Sequence, residues 1–150
     1  MISVCALMTA GSIALATAAA AAPIALSART ISLSETAYLH PTSRPTLTIN
    51  EEGSASGTIK GTIYIHLHLE NSHDGVTAEV NIYPHGGSLS GHGSASYQVE
   101  GADAVFSGKL SITQGTGSYA QARAPSLRFS GSIQRRTDDV TVRLSGPLSV

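Results

Sequence analysis

Two histidines, His66 and His68, stand two residues apart in the run Ile63-Tyr64-Ile65-His66-Leu67-His68-Leu69. On an extended strand this spacing puts both imidazoles on one face, roughly 6–7 Å apart. Neutral imidazole nitrogens at that separation can chelate a metal ion. His73, His85 and His92 fall in nearby turns or strands and offer a third ligand. No carboxylate at a motif spacing accompanies the pair, and exposed polar positions on an outer strand face explain both residues more simply. Further along, Gly115-Thr116-Gly117-Ser118-Tyr119-Ala120 has the glycine spacing of a dinucleotide-binding turn. That site requires a helix next, whereas Pro125 and a new strand pattern follow, so a tight glycine turn accounts for it. Serine is abundant, yet there is no Gly-x-Ser-x-Gly elbow and no ordered set of Ser, His and acid, so hydrolase chemistry is not indicated. Catalytic residues cannot be named from these patterns, and no cofactor is implied.

The rest of the chain must position whatever site exists. Its 150 residues suit one domain with one modest core. A formal net charge of −1 with 13% charged residues provides no basic surface for nucleic acid. Residues 1–28 carry no charged side chain and are apolar and alanine-rich from Met1 to Ala22. Small residues suit cleavage after Ala19-Ala20-Ala21 or after Ala25-Leu26-Ser27, as in an export signal. A retained membrane anchor is the competing reading, but the run is largely weakly hydrophobic alanine, which favours cleavage. The expected division is therefore a signal peptide over 1–28 and a β-domain over 29–150, giving a secreted protein without stable membrane insertion. Cleavage would remove Cys5, the only cysteine, leaving no thiol and no disulfide.

Beyond residue 28, one pattern repeats. Ile59, Gly61, Ile63, Ile65, Leu67 and Leu69 alternate with Lys60, Thr62, Tyr64, His66, His68 and Glu70, which is the period of a strand with one buried face. Asp74-Gly75 supplies a hairpin turn into Val76, Ala78, Val80 and Ile82. After Pro84-His85-Gly86-Gly87 comes a strand whose apolar face holds Leu89, Gly91, Gly93, Ala95, Tyr97 and Val99 against a serine-rich wet face. Ala104, Phe106, Gly108, Leu110 and Ile112 follow, then Leu127 to Ile133 and Val140 to Leu148. Two weaker strands, around 31–39 and 46–51, bring the total to eight. Consecutive strands with short turns predict an all-β antiparallel meander closed into a single eight-stranded barrel.

The stretch from Ser107 to Ala122, Ser-Gly-Lys-Leu-Ser-Ile-Thr-Gln-Gly-Thr-Gly-Ser-Tyr-Ala-Gln-Ala, resembles the segment of allene oxide cyclase and dirigent proteins in which a strand enters a glycine turn followed by an aromatic residue. Leu127 to Arg136 and Val140 to Leu148 are similar to the last two strands of bacterial secreted members. The likeness runs from about Gly57 to the C-terminus. It implies a calycin-type barrel with an apolar central cavity, and an isomerase, cyclase or stereocontrolling role. Plant cyclases place a glutamate and an asparagine on an early strand. The local match, Thr48-Ile49-Asn50, retains only the asparagine, and alternation turns Leu47 and Ile49 inward and Asn50 outward. By the same alternation Glu51 is the one ionisable residue facing inward.

The apolar face is the remaining candidate. Ile63, Ile65, Leu67, Val80, Ile82, Tyr97, Phe106, Leu110 and Phe129 would line or fill the interior, with the Tyr97 hydroxyl among them. A barrel of this size either packs a dry core or holds one small apolar ligand. Three readings stay open: a ligand-binding barrel, a non-catalytic module or homo-oligomer associating through its outer face, and an outer-membrane barrel with its apolar face towards lipid.

Overall fold

The computed structural model describes residues 29–69 and 75–150. The expected export signal with Cys5 lies outside the described residues, as do His73 and Asp74 of the expected hairpin turn. Eight strands follow one another: β1 Thr30–Ser43, β2 Thr48–Gly57, β3 Gly61–Leu69, β4 Gly75–Pro84, β5 Gly87–Glu100, β6 Asp103–Gly117, β7 Ala124–Gln134 and β8 Val140–Ser149. Each pairs antiparallel with the next, and β8 pairs with β1, so the sheet is a closed barrel.

Alternation decides which face is inside. On β3, Ile63, Ile65 and Leu67 are buried while Thr62, Tyr64, His66 and His68 are exposed. On β4, Val76, Ala78, Val80 and Ile82 are buried in the same way. β-branched residues suit a pleated, half-buried surface, and closing the sheet leaves no unpaired edge. The outer surface is hydroxyl-rich, with Ser94, Ser96, Ser107 and Ser130 exposed beside Lys109, Arg128 and Arg143. The two faint strands are the longer β1 and β2. Their inner positions hold Leu33, Glu35, Ala37 and Leu39, then Ile49, Glu51, Gly53 and Ala55.

Inner-face glycines make room for large neighbours. Phe106 on β6 pairs with Gly131 on β7, and a Cβ at Gly131 would stand 2.7 Å from the Phe106 ring. The ring therefore lies against bare backbone. The two ends of the barrel differ. At the end of the β2–β3, β4–β5 and β6–β7 connections, Leu89, Leu127 and Leu148 are fully buried and Ala122 and Ala124 are 0% exposed. Side chains seal this floor. At the other end, where β1–β2, β3–β4, β5–β6 and β7–β8 connect, Val99 is 54% exposed although its position continues the inward face of β5. Val99 thus corrects the expectation of a buried residue: it stands exposed at the rim of the open end.

Candidate functional site

The open end encloses a cavity of about 360 Å3. Ile49, Leu69, Val76, Val99, Ala104 and Ile133 line it together with Tyr97, Phe106 and Phe129, and Arg44, Arg135 and Asp138 stand at its rim. Arg44, in the β1–β2 connection, pairs with Asp138 of the β7–β8 turn at 2.7 Å. Arg135 donates to the Gly101 carbonyl of the β5–β6 turn at 3.2 Å. Three connections are thereby tied across the mouth. Asp138 adopts a φ of 62°, a left-handed conformation that aspartate tolerates better than most residues. Its amide donates to the Gln134 carbonyl at 2.7 Å, which fixes the turn.

Below the mouth, an inner cavity of about 40 Å3 is bounded by apolar side chains and Glu35. Leu67, Ala78, Phe106 and Phe129 line both spaces and form the partition between them. The two phenylalanine rings are tilted against each other with centroids 5.9 Å apart.

Two buried carboxyls interrupt the apolar wall. Glu51, on β2, is 2% exposed and neither of its side-chain oxygens has a hydrogen-bond partner. Burial, reinforced by the charges of Asp138 and Asp139, pushes its pKa up to about 7. Glu35, on β1, is 5% exposed. One of its oxygens accepts from the Ile59 amide at 2.5 Å and the other has no partner. Burial raises its pKa, with the nearby backbone amides of Ile59 and Thr58 opposing. Glu35 corrects the expectation that Glu51 alone turns an ionisable group inward. It lies on the same face as Leu33, Ala37 and Leu39, a pattern visible in the sequence once β1 is accepted as a strand.

The residues expected inside are inside, but they are distributed unevenly. Ile63, Ile65, Leu67, Val80, Ile82, Phe106 and Leu110 are buried, and Phe129 is partly buried against them. All eight bound the small inner cavity. Tyr97 is also only partly buried and belongs to the mouth. The larger space is lined mostly by residues that alternation places on the apolar face but that were not among the nine expected to meet a ligand, such as Leu69, Val76, Ala78 and Ala104.

His66 and His68 lie on the outer face, as alternation expects. His66 Nδ1 is 2.6 Å from Asn50 Oδ1, and His68 Nδ1 is 3.4 Å from Thr48 Oγ1. Register places Glu79 opposite His66 and His92 opposite Glu79, neighbours that linear spacing could not reveal. Even so, no group of three His, Cys, Asp or Glu residues among those described is placed to hold a metal ion. Asn50 points outward, donating from its amide to Ser43 Oγ at 2.6 Å, and takes no part in the interior.

The fold and this interior define a cup-shaped antiparallel barrel, sealed at one end and hollow at the other. Comparison with protein-family models, curated proteins and solved structures finds no match for the chain.

Proposed function

We propose that this is an exported barrel protein that takes a small, predominantly apolar molecule into its open end. The observation that carries the reading is the 360 Å3 cavity above a sealed floor, apolar in its depth and ringed by Arg44, Arg135 and Asp138. Ligand sites are typically concave, mostly apolar and marked by a few polar groups, and this cavity has that character. The outer surface supports a barrel surrounded by water, since exposed Lys109, Arg128 and Arg143 stand within β6, β7 and β8 where a lipid-facing barrel carries an apolar band. The alanine-rich stretch over residues 1–28 supports export. Kinship with the allene oxide cyclase and dirigent barrels is proposed on the Gly115 to Ala122 turn and the strand order. On that basis the chemistry in keeping with the site is an isomerisation or cyclisation steered by shape and exclusion of water.

A fluorescent apolar probe, N-phenyl-1-naphthylamine, tests the site directly. Wild-type protein should bind it saturably at one molecule per chain, and Ala104→Trp, which fills the mouth from β6, should abolish binding without unfolding the barrel. Equal binding by the variant would place the probe elsewhere and reject the mouth as the site. A second reading rests on the outer face, where Tyr38 is 66% and Tyr83 51% exposed, and Tyr83 packs edge-on against Tyr64 at 5.7 Å. Native mass spectrometry of protein from its host separates the two. A bound small molecule supports the cavity, and oligomers without one favour association through the tyrosines.

A further inference from the structure

Among the described residues, Glu35 is the only polar side chain bounding the inner cavity. It is 5% exposed, and one of its two carboxyl oxygens is held by the Ile59 amide. The other oxygen has no hydrogen-bond partner, since the nearby Thr58 amide donates to the Ser34 carbonyl. A buried polar atom without a partner is costly, so such groups are normally matched by protein, water or ligand. The inner cavity is about 40 Å3, more than the roughly 10–15 Å3 that a single water needs. It can admit the small end of a molecule whose body stays in the mouth. Leu67, Ala78, Phe106 and Phe129 line both spaces, so a group that reaches the inner one from the mouth must pass between these side chains.

We propose that Glu35 selects the leading end of the ligand, a neutral hydroxyl terminating an otherwise apolar chain, which passes the Phe106–Phe129 pair and bonds to the free Glu35 oxygen. The inference rests on the mouth being the binding site. Three features specify the hydroxyl. Among the described residues no cationic side chain bounds the inner cavity, so an anionic end group would be buried without a counter-charge. An ammonium would bring three donors to a single unpartnered oxygen. A hydroxyl fits the volume and can both donate and accept, so it can meet the unpartnered oxygen whether that oxygen accepts or donates.

The test is displacement of N-phenyl-1-naphthylamine by 1-octanol, octyl methyl ether and octylamine. With wild-type protein, 1-octanol should displace the probe at about tenfold lower concentration than the ether, the size expected of one matched buried hydrogen bond. Glu35→Leu should retain probe binding and lose that preference. Should this variant fail to fold, Phe129→Trp leaves Glu35 in place, narrows the passage and should likewise erase the preference. Equal displacement by alcohol and ether would overturn the proposal and leave a buried water as the partner of Glu35. Preference for octylamine, or an alcohol preference that survives in Glu35→Leu, would overturn it as well. Failure of wild-type protein to bind the probe at all would instead reject the mouth as a site, and this inference with it.

Discussion

Replacing Glu51 by glutamine is expected to flatten the dependence of stability on pH between about 4.5 and about 7. In the unfolded chain this carboxyl ionises near its ordinary 4.5, whereas in the barrel it holds its proton until about 7. Between those values the folded state binds more protons than the unfolded state, so stability falls as pH rises and levels off above 7. A displacement of this size corresponds to about 3 kcal/mol, or on the order of 10 °C in Tm for a barrel of this length. The neutral amide of Glu51→Gln removes the titration but keeps a buried polar group without a partner, which costs about 1–3 kcal/mol at every pH. Protonated Glu51 carries the same burden, so the two proteins should be about equally stable near pH 4, and the variant should gain on wild type until the curve levels off above 7. Glu35 contributes with the same sign, because burial raises it too, so a shallow slope should persist in the variant. Urea unfolding followed by circular dichroism at half-unit pH steps measures both curves. The difference between them isolates Glu51 from the histidines. Parallel curves for the two proteins, or a wild-type stability that rises through this interval, would refute the reasoning.

Two further expectations concern the mouth and the floor. Asp138→Asn keeps a residue that tolerates the 62° φ and removes a negative charge beside Glu51. The Glu51 midpoint should fall below 7 in a carboxyl-resolved NMR titration, and an unchanged midpoint would leave the shift to burial and Asp139 alone. The Arg44 pair lost in that variant should itself matter little, under about 1 kcal/mol, because the arginine is 59% exposed. Leu127→Ala opens the sealed end at a fully buried position. It should cost about 2–5 kcal/mol in urea unfolding, and a loss well under 1 kcal/mol would show that the floor is not tightly packed.

The barrel was legible where the inner face is uniformly large and apolar. Ile63, Ile65 and Leu67, or Val140, Val142 and Leu144, alternate so cleanly that side-chain period alone fixes the strand and its inward face. β1 and β2 were faint for the reason that makes them interesting. Their inner positions include Glu35, Ala37, Glu51, Gly53 and Ala55, so the apolar signal drops where the buried carboxyls sit. Of the mouth, the apolar lining was legible in part, with Leu67, Tyr97, Phe106 and Phe129 among the expected residues, whereas its polar rim was not. Arg44 and Asp138 are far apart in sequence and meet only because β1 and β8 close the sheet. The size of the cavity depends on which levels of the interior carry alanine or glycine, a property of register across eight strands rather than of any one of them.

Closure of β8 on β1 also sets when the barrel can come into being. Thr30 meets Ser149 and Leu39 meets Val140, and Arg29 and Val150 exchange backbone hydrogen bonds of 3.0 and 2.8 Å beyond the last pair. The two bare edges of the growing sheet can be satisfied only by each other, after nearly the whole domain has been delivered. Long-range pairing of this kind is slow, and an open sheet with two unpaired edges is a template for joining another chain. If the protein is threaded out of the cell from its N-terminus, the β8-facing edge of β1 waits unpaired through the entire passage, and whatever keeps that edge from neighbouring copies during the interval is as much a condition of the barrel's existence as the core.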